Sequence, residues 1–221
     1  MRDASGMAYD LYVITDETLS GGRPHAEIAR QAIAGGADAI QLRDKTRGCR
    51  DLITTGREIR NITRKTHTLF IVNDRLDVAL ACSADGVHLG QGDLRVDVAR
   101  QIAPPGFVIG MSVGSVAEAV QAEQDGADYL ALSPTFVTAS KDDAGPGHGL
   151  GVLAAVCSRV TLPVVAIGGI TRANVEDVID AGASGAAVIS AVVGSPDISA
   201  AAREMKRLIT RAKQRRAMHD R

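Results

Sequence analysis

Short apolar runs alternate with longer amphipathic stretches along almost the whole chain. In the amphipathic stretches, apolar residues recur at helical spacing; Leu52, Ile59 and Ile62 share one face of a helix predicted from Asp51 to about Lys65. Continuous apolar runs are typical of strands buried on both faces of a parallel sheet. Eight such runs are predicted as strands, beginning at Leu11, Ala39, Leu69, Gly86, Phe107, Tyr129, Pro163 and Gly185, and the eighth is predicted to reach Ser190.

Eight strands, each followed by a helix, predict an α/β protein of the (β/α)8 TIM barrel class. The whole chain, 1–221, is expected to form one domain, with the barrel at about 11–213, a short N-terminal extension and a basic C-terminal tail that frays. The alternative, a doubly wound open sheet, predicts a Gly-x-Gly-x-x-Gly motif after the first strand, and Gly21-Gly22-Arg23-Pro24 does not match it. Gly-Ala-Asp or Gly-Ala-Ser recurs before strands two, six and eight, which indicates repeated helix-to-strand corners.

Composition narrows the classes of partner. The 25 Lys and Arg residues against 26 Asp and Glu give a formal charge of -1, and Trp is absent, so nucleic-acid binding is not expected. The cysteines, Cys49, Cys82 and Cys157, form no Cys-x-x-Cys pair, which predicts a reduced, cytoplasmic protein. No apolar run reaches membrane-spanning length, so no membrane association is expected. The pattern leaves a homo-oligomer open.

In such a barrel, functional groups lie at the carboxyl ends of the strands. The second strand, predicted as Ala39–Asp44, leads into Lys45, and alternation puts Gln41, Arg43 and Lys45 on one side. An amide and two cations so arranged suit a phosphate or diphosphate. The alternative is an edge strand that carries solvated charges.

Two carboxylates come from neighbouring strand ends, Asp74 after the third strand and Asp93 after the fourth. Because Mg²⁺ usually takes one or two carboxylates together with waters and phosphate oxygens, we expect a Mg²⁺ site beside the two cations. The alternative is that each Asp caps the following helix.

A second anion site is predicted from Gly168-Gly169 and the turn after Ile189-Ser190, where barrels of this class bind phosphate with backbone N–H groups. The alternative there is simple tight turning. The long loop from Pro134 to Gly149 carries the hydroxyls of Thr138 and Ser140 and the cation of Lys141, so it is a candidate lid. Its alternative is a mobile surface loop.

The histidines give weaker signals. His25, His67 and His219 are predicted to be solvated, and His88 is predicted to be a hydrogen-bonded residue of the barrel wall. His148 lies in the long loop, and its role is left open.

Six segments together resemble thiamine-phosphate synthase, over about Leu11 to Ala191. They are Gln41-x-Arg43-x-Lys45, Asn73-Asp74-Arg75, Gly86-Val87-His88-Leu89-Gly90-Gln91-x-Asp93, Thr138-x-Ser140-Lys141, Ala166-Ile167-Gly168-Gly169-Ile170 and Val188-Ile189-Ser190. The resemblance implies that 4-amino-5-hydroxymethyl-2-methylpyrimidine diphosphate is joined to a thiazole phosphate, giving thiamine phosphate and diphosphate. It also implies a dissociative route, in which diphosphate leaves before the thiazole nitrogen attacks.

The resemblance also implies the role of each matching residue. Mg²⁺ is assigned to Asp74 and Asp93, and the groups that act on the reacting diphosphate are Arg43, Lys45, Ser112 and Lys141. The set implied for the pyrimidine diphosphate is Gln41, Leu42, Arg43, Asp44, Lys45, Asn73, Ser112 and Lys141. The set implied for the thiazole phosphate is Thr138, Ala139, Ser140, Gly169, Ile189 and Ser190.

The chain departs from the family pattern after the fifth strand, where many members have a His two residues after the Ser and this chain has Ser112-Val113-Gly114. Ser140 stands where Thr is common and keeps the hydroxyl. Two further activities fit the same barrel. A thiazole tautomerase uses a His at the end of strand six, where this chain reads Ser133-Pro134-Thr135. A non-catalytic regulator of the thiamine pathway would be expected to lack the Asp pair or Lys141.

Overall fold

The computed structural model describes residues 9–138 and 145–219, the side chain of His219 excepted. Its eight strands are all parallel and pair in chain order, and β8 pairs with β1 to close the barrel. The predicted (β/α)8 TIM barrel is thus confirmed, and the open sheet is wrong. The strands are β1 Leu11–Ile14, β2 Ala39–Leu42, β3 Leu69–Asn73, β4 Gly86–Leu89, β5 Val108–Val113, β6 Tyr129–Leu132, β7 Val164–Ile167 and β8 Gly185–Val188.

A helix follows each strand, and its buried residues pack against the barrel. The helices are α1 His25–Ala34, α2 Cys49–Thr63, α3 Leu76–Ala81, α4 Val96–Ile102, α5 Val116–Gln124, α6 Gly149–Arg159, α7 Val175–Asp180, α8 Ser190–Val193 and α9 Ile198–His219. The order of strands and helices is therefore as the hydrophobic pattern predicts, apart from the extra helix α8.

Several predicted boundaries are shifted: β5 and β7 begin one residue later than predicted, at Val108 and Val164, and α2 spans Cys49–Thr63. Three further differences concern the cavity wall and the tail. Strand β2 ends at Leu42, so Arg43 and Lys45 lie in the loop that follows it. The eighth strand was expected to reach Ser190, but Ser190 begins α8. The basic tail does not fray after Lys213, since α9 continues to His219. Arg215 pairs with Asp180 at 2.6 Å and holds this last part of α9 against α7.

The repeated helix-to-strand corners fasten neighbouring strands at the amino end of the barrel. Asp38 ends the first Gly-Ala-Asp segment, and its Oδ2 accepts a hydrogen bond from the backbone N–H of Leu11 at 2.8 Å. Asp128 does the same for Ile109 at 2.7 Å. Because each carboxylate satisfies an N–H at the start of a strand, these corners fix the strand register.

The barrel interior contains a buried cluster of aromatic rings. Tyr12 and Tyr129 are 2% and 0% exposed, and their hydroxyl oxygens lie 2.9 Å apart. Tyr9 stacks on Tyr129, with ring centroids 4.8 Å apart. On its other side, the ring of Tyr129 fills the space above Gly110, where a Cβ would lie only 2.1 Å from the Tyr129 Cζ.

We therefore expect Gly110→Ala to destabilise the protein, because the added methyl group must displace a fully buried ring. Overpacking of this kind usually lowers the free energy of unfolding by about 1–3 kcal/mol. Thermal unfolding followed by circular dichroism measures the effect. The control is Gly151→Ala in α6, where a Cβ meets no atom within 4 Å and should raise the melting temperature slightly. An unchanged melting temperature for Gly110→Ala would contradict this account of the interior.

Among the described residues, no helix combines the length and the apolar character that crossing a membrane requires. The three cysteines lie within the described ranges and form no disulfide.

Candidate functional site

A cavity of about 690 Å³ opens at the carboxyl ends of the strands. Residues from seven strand ends contribute to its wall, and most residues predicted from the sequence are among them. The structure thus brings distant parts of the chain to one site. The predicted residues that line it are Arg43, Lys45, Asn73, Asp74, Asp93, Ser112, Thr138, Gly169, Ile189 and Ser190.

Three further predicted residues, Gln41, Leu42 and Asp44, are described and do not line the cavity. Gln41 is buried inside the barrel, where its Nε2 donates to the hydroxyl of Tyr12 at 2.9 Å. Leu42 is buried in the core at 1% exposed, and Asp44 lies in the loop after β2, where its carboxylate accepts from the Arg47 N–H. Three other predicted residues, Ala139, Ser140 and Lys141, fall outside the described part of the chain. Direct substrate contacts of all six stay predictions.

The two cations line the cavity from the loop after β2. Strand β2 lies between β1 and β3, so the alternative of solvated charges on an edge strand is wrong. The Arg43 side chain is 12% exposed, and its Nη1 lies 3.7 Å from Oδ2 of Asp16, a loose ion pair. A guanidinium in this position can still donate to an anion in the cavity.

Asp44 organises the backbone of that loop. Its Oδ1 accepts hydrogen bonds from the backbone N–H groups of Thr46 and Arg47, at 2.8 and 3.0 Å. Burial raises the pKa of Asp44, but hydrogen bonds from Thr46, Arg47 and His25 outweigh burial and hold the pKa well below its usual range. The carboxylate therefore stays charged and keeps the loop ordered between the two cavity cations.

His25 was predicted to be solvated, and this prediction is wrong. The residue is 1% exposed, and its ring supports the Asp44 carboxylate. Its Nδ1 lies 2.7 Å from Oγ1 of Thr15, and its Nε2 lies 3.2 Å from Oδ2 of Asp44. Because a neutral imidazole carries one N–H, a ring that donates from Nε2 to the Asp44 carboxylate accepts at Nδ1 from the Thr15 hydroxyl. Nothing in the sequence around His25 indicates this role, because a His that starts a helix normally faces water. His67 is exposed, as predicted.

Asp74 and Asp93 both line the cavity, and their geometry differs from that of helix caps. The N-cap positions of α3 and α4 are Arg75 and Arg95, so neither Asp occupies one. Asp74 has a backbone φ of +62°, a conformation that costs about 1–3 kcal/mol and is frequent at functional sites. Oδ2 of Asp93 accepts from the backbone N–H of Gly90 at 2.7 Å, which orients that carboxylate.

These two carboxylates fit a hydrated Mg²⁺ better than a metal held by protein ligands alone. Within the described ranges, no group of three or more His, Cys, Asp or Glu side chains gathers where it could hold a metal ion. Mg²⁺ needs no such cage, since it commonly keeps waters and binds substrate phosphate oxygens through one or two carboxylates.

The Gly168-Gly169 turn lines the cavity after β7, which lies four strands away from β3 in the closed barrel. Both residues have positive φ, +97° and +64°. The loop after β6 packs directly on them, because a Cβ at Gly168 would lie 2.6 Å from that of Pro134, and one at Gly169 would lie 2.6 Å from the Val137 oxygen. The turn is therefore tight, which agrees with the alternative that these glycines only allow a tight turn. It also exposes backbone to the cavity, so phosphate binding stays a prediction.

Ser112 lies at the end of β5 and is held by two neighbours. Its Oγ lies 2.9 Å from Nε2 of His88, and its backbone oxygen accepts from the side chain of Gln91 at 2.7 Å. His88 is 6% exposed and hydrogen-bonded in the barrel wall, which confirms the prediction for that residue. Gln91 also lines the cavity, a contribution that its sequence motif alone did not identify.

The imidazole of His148 fills the space beside Gly114. Gly114 stands two residues after Ser112, where many sequences with the same motif have a His. A Cβ at Gly114 would lie 2.9 Å from Nε2 of His148. The backbone of His148 is fixed by a hydrogen bond from its N–H to the Pro134 oxygen at 3.0 Å. His148 lines the cavity, so the long loop supplies an imidazole next to the end of β5.

Comparisons with known proteins agree on one family. The family model described as thiamine monophosphate synthase matches residues 11–192. A protein named thiamine-phosphate synthase from Methanoregula boonei is 66% identical over 208 residues, covering 94% of this chain and 96% of that protein. One of the same name from Moorella thermoacetica is 52% identical over 205 residues, covering 93% and 98%. The solved structure of thiamine phosphate pyrophosphorylase from Pyrococcus furiosus is 44% identical, with a TM-score of 0.86 over 92% of this chain and 96% of that one.

Proposed function

Because the chain belongs to the thiamine monophosphate synthase family and is a transferase of the thiamine-phosphate synthase class, we propose that its cavity joins two phosphorylated substrates. One is 4-amino-5-hydroxymethyl-2-methylpyrimidine diphosphate, and the other is 4-methyl-5-(2-phosphoethyl)thiazole or its carboxylated form. The products are thiamine phosphate and diphosphate. This proposal rests mainly on one observation. The cations and carboxylates line the same cavity as the Gly168-Gly169 turn.

The diphosphate is proposed to bind beside Arg43 and Lys45. Arg43 offers a planar pair of donors and Lys45 a compact charge, which together suit adjacent phosphate groups. Asn73 and Ser112 line the same part of the wall and add neutral polar groups. The thiazole phosphate is proposed to bind at Gly169, Ile189 and Ser190, with Thr138 at the edge of the long loop.

The proposed metal is Mg²⁺, held by Asp74 and Asp93 together with diphosphate oxygens. When bound, it would supply positive charge to the leaving diphosphate. The two carboxylates are the described residues that suit it, and the loop after β2 places Arg43 and Lys45 on the same cavity. Phosphate binding by the protein and a cytoplasmic location are proposed as well, and a homo-oligomer stays open.

The proposed mechanism needs little proton transfer from the protein. As the bond between the pyrimidine methylene carbon and the diphosphate oxygen lengthens, negative charge gathers on the leaving group, and Arg43 and Lys45 stabilise it. The thiazole nitrogen then attacks the methylene carbon with its own electron pair. Binding both substrates in one cavity supplies the alignment, which is the main contribution expected from positioning.

The direct test uses the purified protein with both substrates and Mg²⁺, and detects thiamine phosphate and diphosphate in equal amounts. Formation of both products supports the proposal. Isomerisation of the thiazole phosphate without a coupled product would instead identify a tautomerase. Binding without turnover of either kind would identify a regulator.

Lys141 tests the dissociative route, although it lies outside the described residues. The family resemblance assigns it to the diphosphate, so Lys141→Ala should lower the single-turnover rate at least about tenfold, because a positioned donor matters most as charge develops. Affinity for the thiazole phosphate, measured separately by calorimetry, should change far less. A single-turnover rate equal to that of the unmodified protein would contradict a leaving-group role for this Lys.

A further inference from the structure

A continuous chain of hydrogen bonds runs from the barrel interior to the cavity wall. Nε2 of Gln41 donates to the Tyr12 hydroxyl at 2.9 Å, and this hydroxyl lies 2.9 Å from that of Tyr129. The Tyr129 hydroxyl in turn lies 2.9 Å from Nδ1 of His88. The last step joins Nε2 of His88 to Oγ of Ser112, also at 2.9 Å.

Each hydroxyl or ring N–H in this chain has one proton to donate. All the contacts are hydrogen bonds only if every donor points the same way along the chain. A neutral imidazole carries one N–H, so Nδ1 and Nε2 of His88 cannot both donate. Since the Tyr12 oxygen accepts from Gln41, its own proton is available to Tyr129, and the Tyr129 proton is then available to Nδ1 of His88. Nε2 of His88 therefore carries the ring proton and donates to Ser112.

The groups of the chain are held rigidly enough to keep that direction. Burial raises the pKa of Tyr12 and of Tyr129 well above the usual value, so both phenols remain protonated. The Tyr129 ring is 0% exposed, stacks on the Tyr9 ring and packs closely on Gly110, so it is held in place by its neighbours.

From this geometry we propose that Tyr12, Tyr129 and His88 are positioning residues that make the Ser112 hydroxyl a hydrogen-bond donor to the substrate in the cavity. Because Ser112 accepts from His88, its proton is directed to another acceptor, and Ser112 lines the cavity. A donor suits an anionic diphosphate oxygen, so this inference rests on the proposed function. It adds that Tyr129 and His88 set the state of Ser112, while Gln41 and Tyr12 support them from the far end of the chain.

The first test measures the tautomer of His88 without any substrate. In protein labelled with ¹⁵N-histidine, two-bond nitrogen–proton NMR spectra distinguish an imidazole protonated at Nε2 from one protonated at Nδ1. The His88 signals are assigned by their loss in His88→Gln. We expect the Nε2–H tautomer. The Nδ1–H tautomer would mean that the chain runs in the opposite direction, with Ser112 donating to His88, and would overturn the proposal.

The second test is a double-mutant cycle with Tyr129→Phe and Ser112→Ala. Tyr129→Phe removes one hydroxyl and leaves the ring, so kcat/KM for the pyrimidine diphosphate should fall between about twofold and about tenfold, as for one neutral hydrogen bond. In the Ser112→Ala protein, the same change should have almost no effect, because the tyrosine acts only through Ser112. Equal losses in both backgrounds would show a merely structural role and overturn the proposal.

Tyr12→Phe is the matched control within the chain. It leaves the contact between Tyr129 and His88 intact, so kcat/KM should fall less than in Tyr129→Phe, although each variant loses one buried hydroxyl. A larger fall in Tyr12→Phe would contradict the proposed direction. If the unmodified protein forms no thiamine phosphate, the proposed function fails, while the tautomer measurement still decides the state of His88.

Discussion

Removal of divalent metal with EDTA is expected to abolish formation of thiamine phosphate, and added Mg²⁺ is expected to restore it. The reason is electrostatic, because a departing diphosphate gathers more negative charge than Arg43 and Lys45 neutralise alone. The coupled product is measured at increasing Mg²⁺ concentration after chelation. Full activity in EDTA would remove the metal from the mechanism.

Asparagine variants test the two proposed ligands with little change of shape. Asp74→Asn keeps a residue that tolerates the φ of +62°, and Asp93→Asn keeps an oxygen that can accept from the Gly90 N–H. Each should raise the Mg²⁺ concentration needed for half-maximal activity at least about tenfold. The control is Asp97→Asn, which removes an exposed carboxylate paired with Arg95 and should leave the Mg²⁺ requirement unchanged. An equal shift in all three would point to a general loss of surface charge.

The barrel was predictable because its signals are local and repeated. Every strand of the structure coincides with an apolar run, and the Asp of two Gly-Ala-Asp corners accepts a hydrogen bond at the start of a neighbouring strand. Boundaries were harder to predict. In Ile189-Ser190 the apolar run continues past Val188, but the chain turns into α8, and nothing in hydrophobicity marks that turn. The tail of α9 is held by its pair with Asp180, a long-range contact that a basic sequence does not reveal.

The wall of the cavity was predictable for a different reason. In a parallel barrel all carboxyl ends of strands meet on one face, so polar residues that follow apolar runs must converge there. The groups behind the wall were missed, because their roles depend on distant partners. His25 supports Asp44 from 19 positions away, and Tyr129 reaches His88 across 41. Neither pairing has a sequence spacing that a motif could express.

Arg43→Ala is expected to weaken binding of the pyrimidine diphosphate by about 2–5 kcal/mol, or about 30-fold to several thousandfold in Kd. Arg43 is 12% exposed, and within residues 9–138 and 145–219 it forms a loose ion pair with Asp16 at 3.7 Å, so its guanidinium can still donate to a bound anion. Its removal should leave the barrel intact and the anion without its planar donor. Calorimetry with the pyrimidine diphosphate and Mg²⁺, in the absence of the thiazole, measures the change.

Two further variants show whether the loss of diphosphate affinity in Arg43→Ala comes from the planar pair of guanidinium donors or from the charge alone. Arg43→Lys keeps the charge and loses the planar donor pair, so its Kd should lie between those of the unmodified protein and Arg43→Ala. Arg95→Ala removes a 73% exposed guanidinium that pairs with Asp97 at the surface, and its Kd should be unchanged. The melting temperature of Arg43→Ala should stay within a few degrees of the original, since a binding residue contributes little to stability. A lowered melting temperature with unchanged Kd would make Arg43 a structural residue of the loop after β2 and would leave Lys45 as the cation that binds the diphosphate.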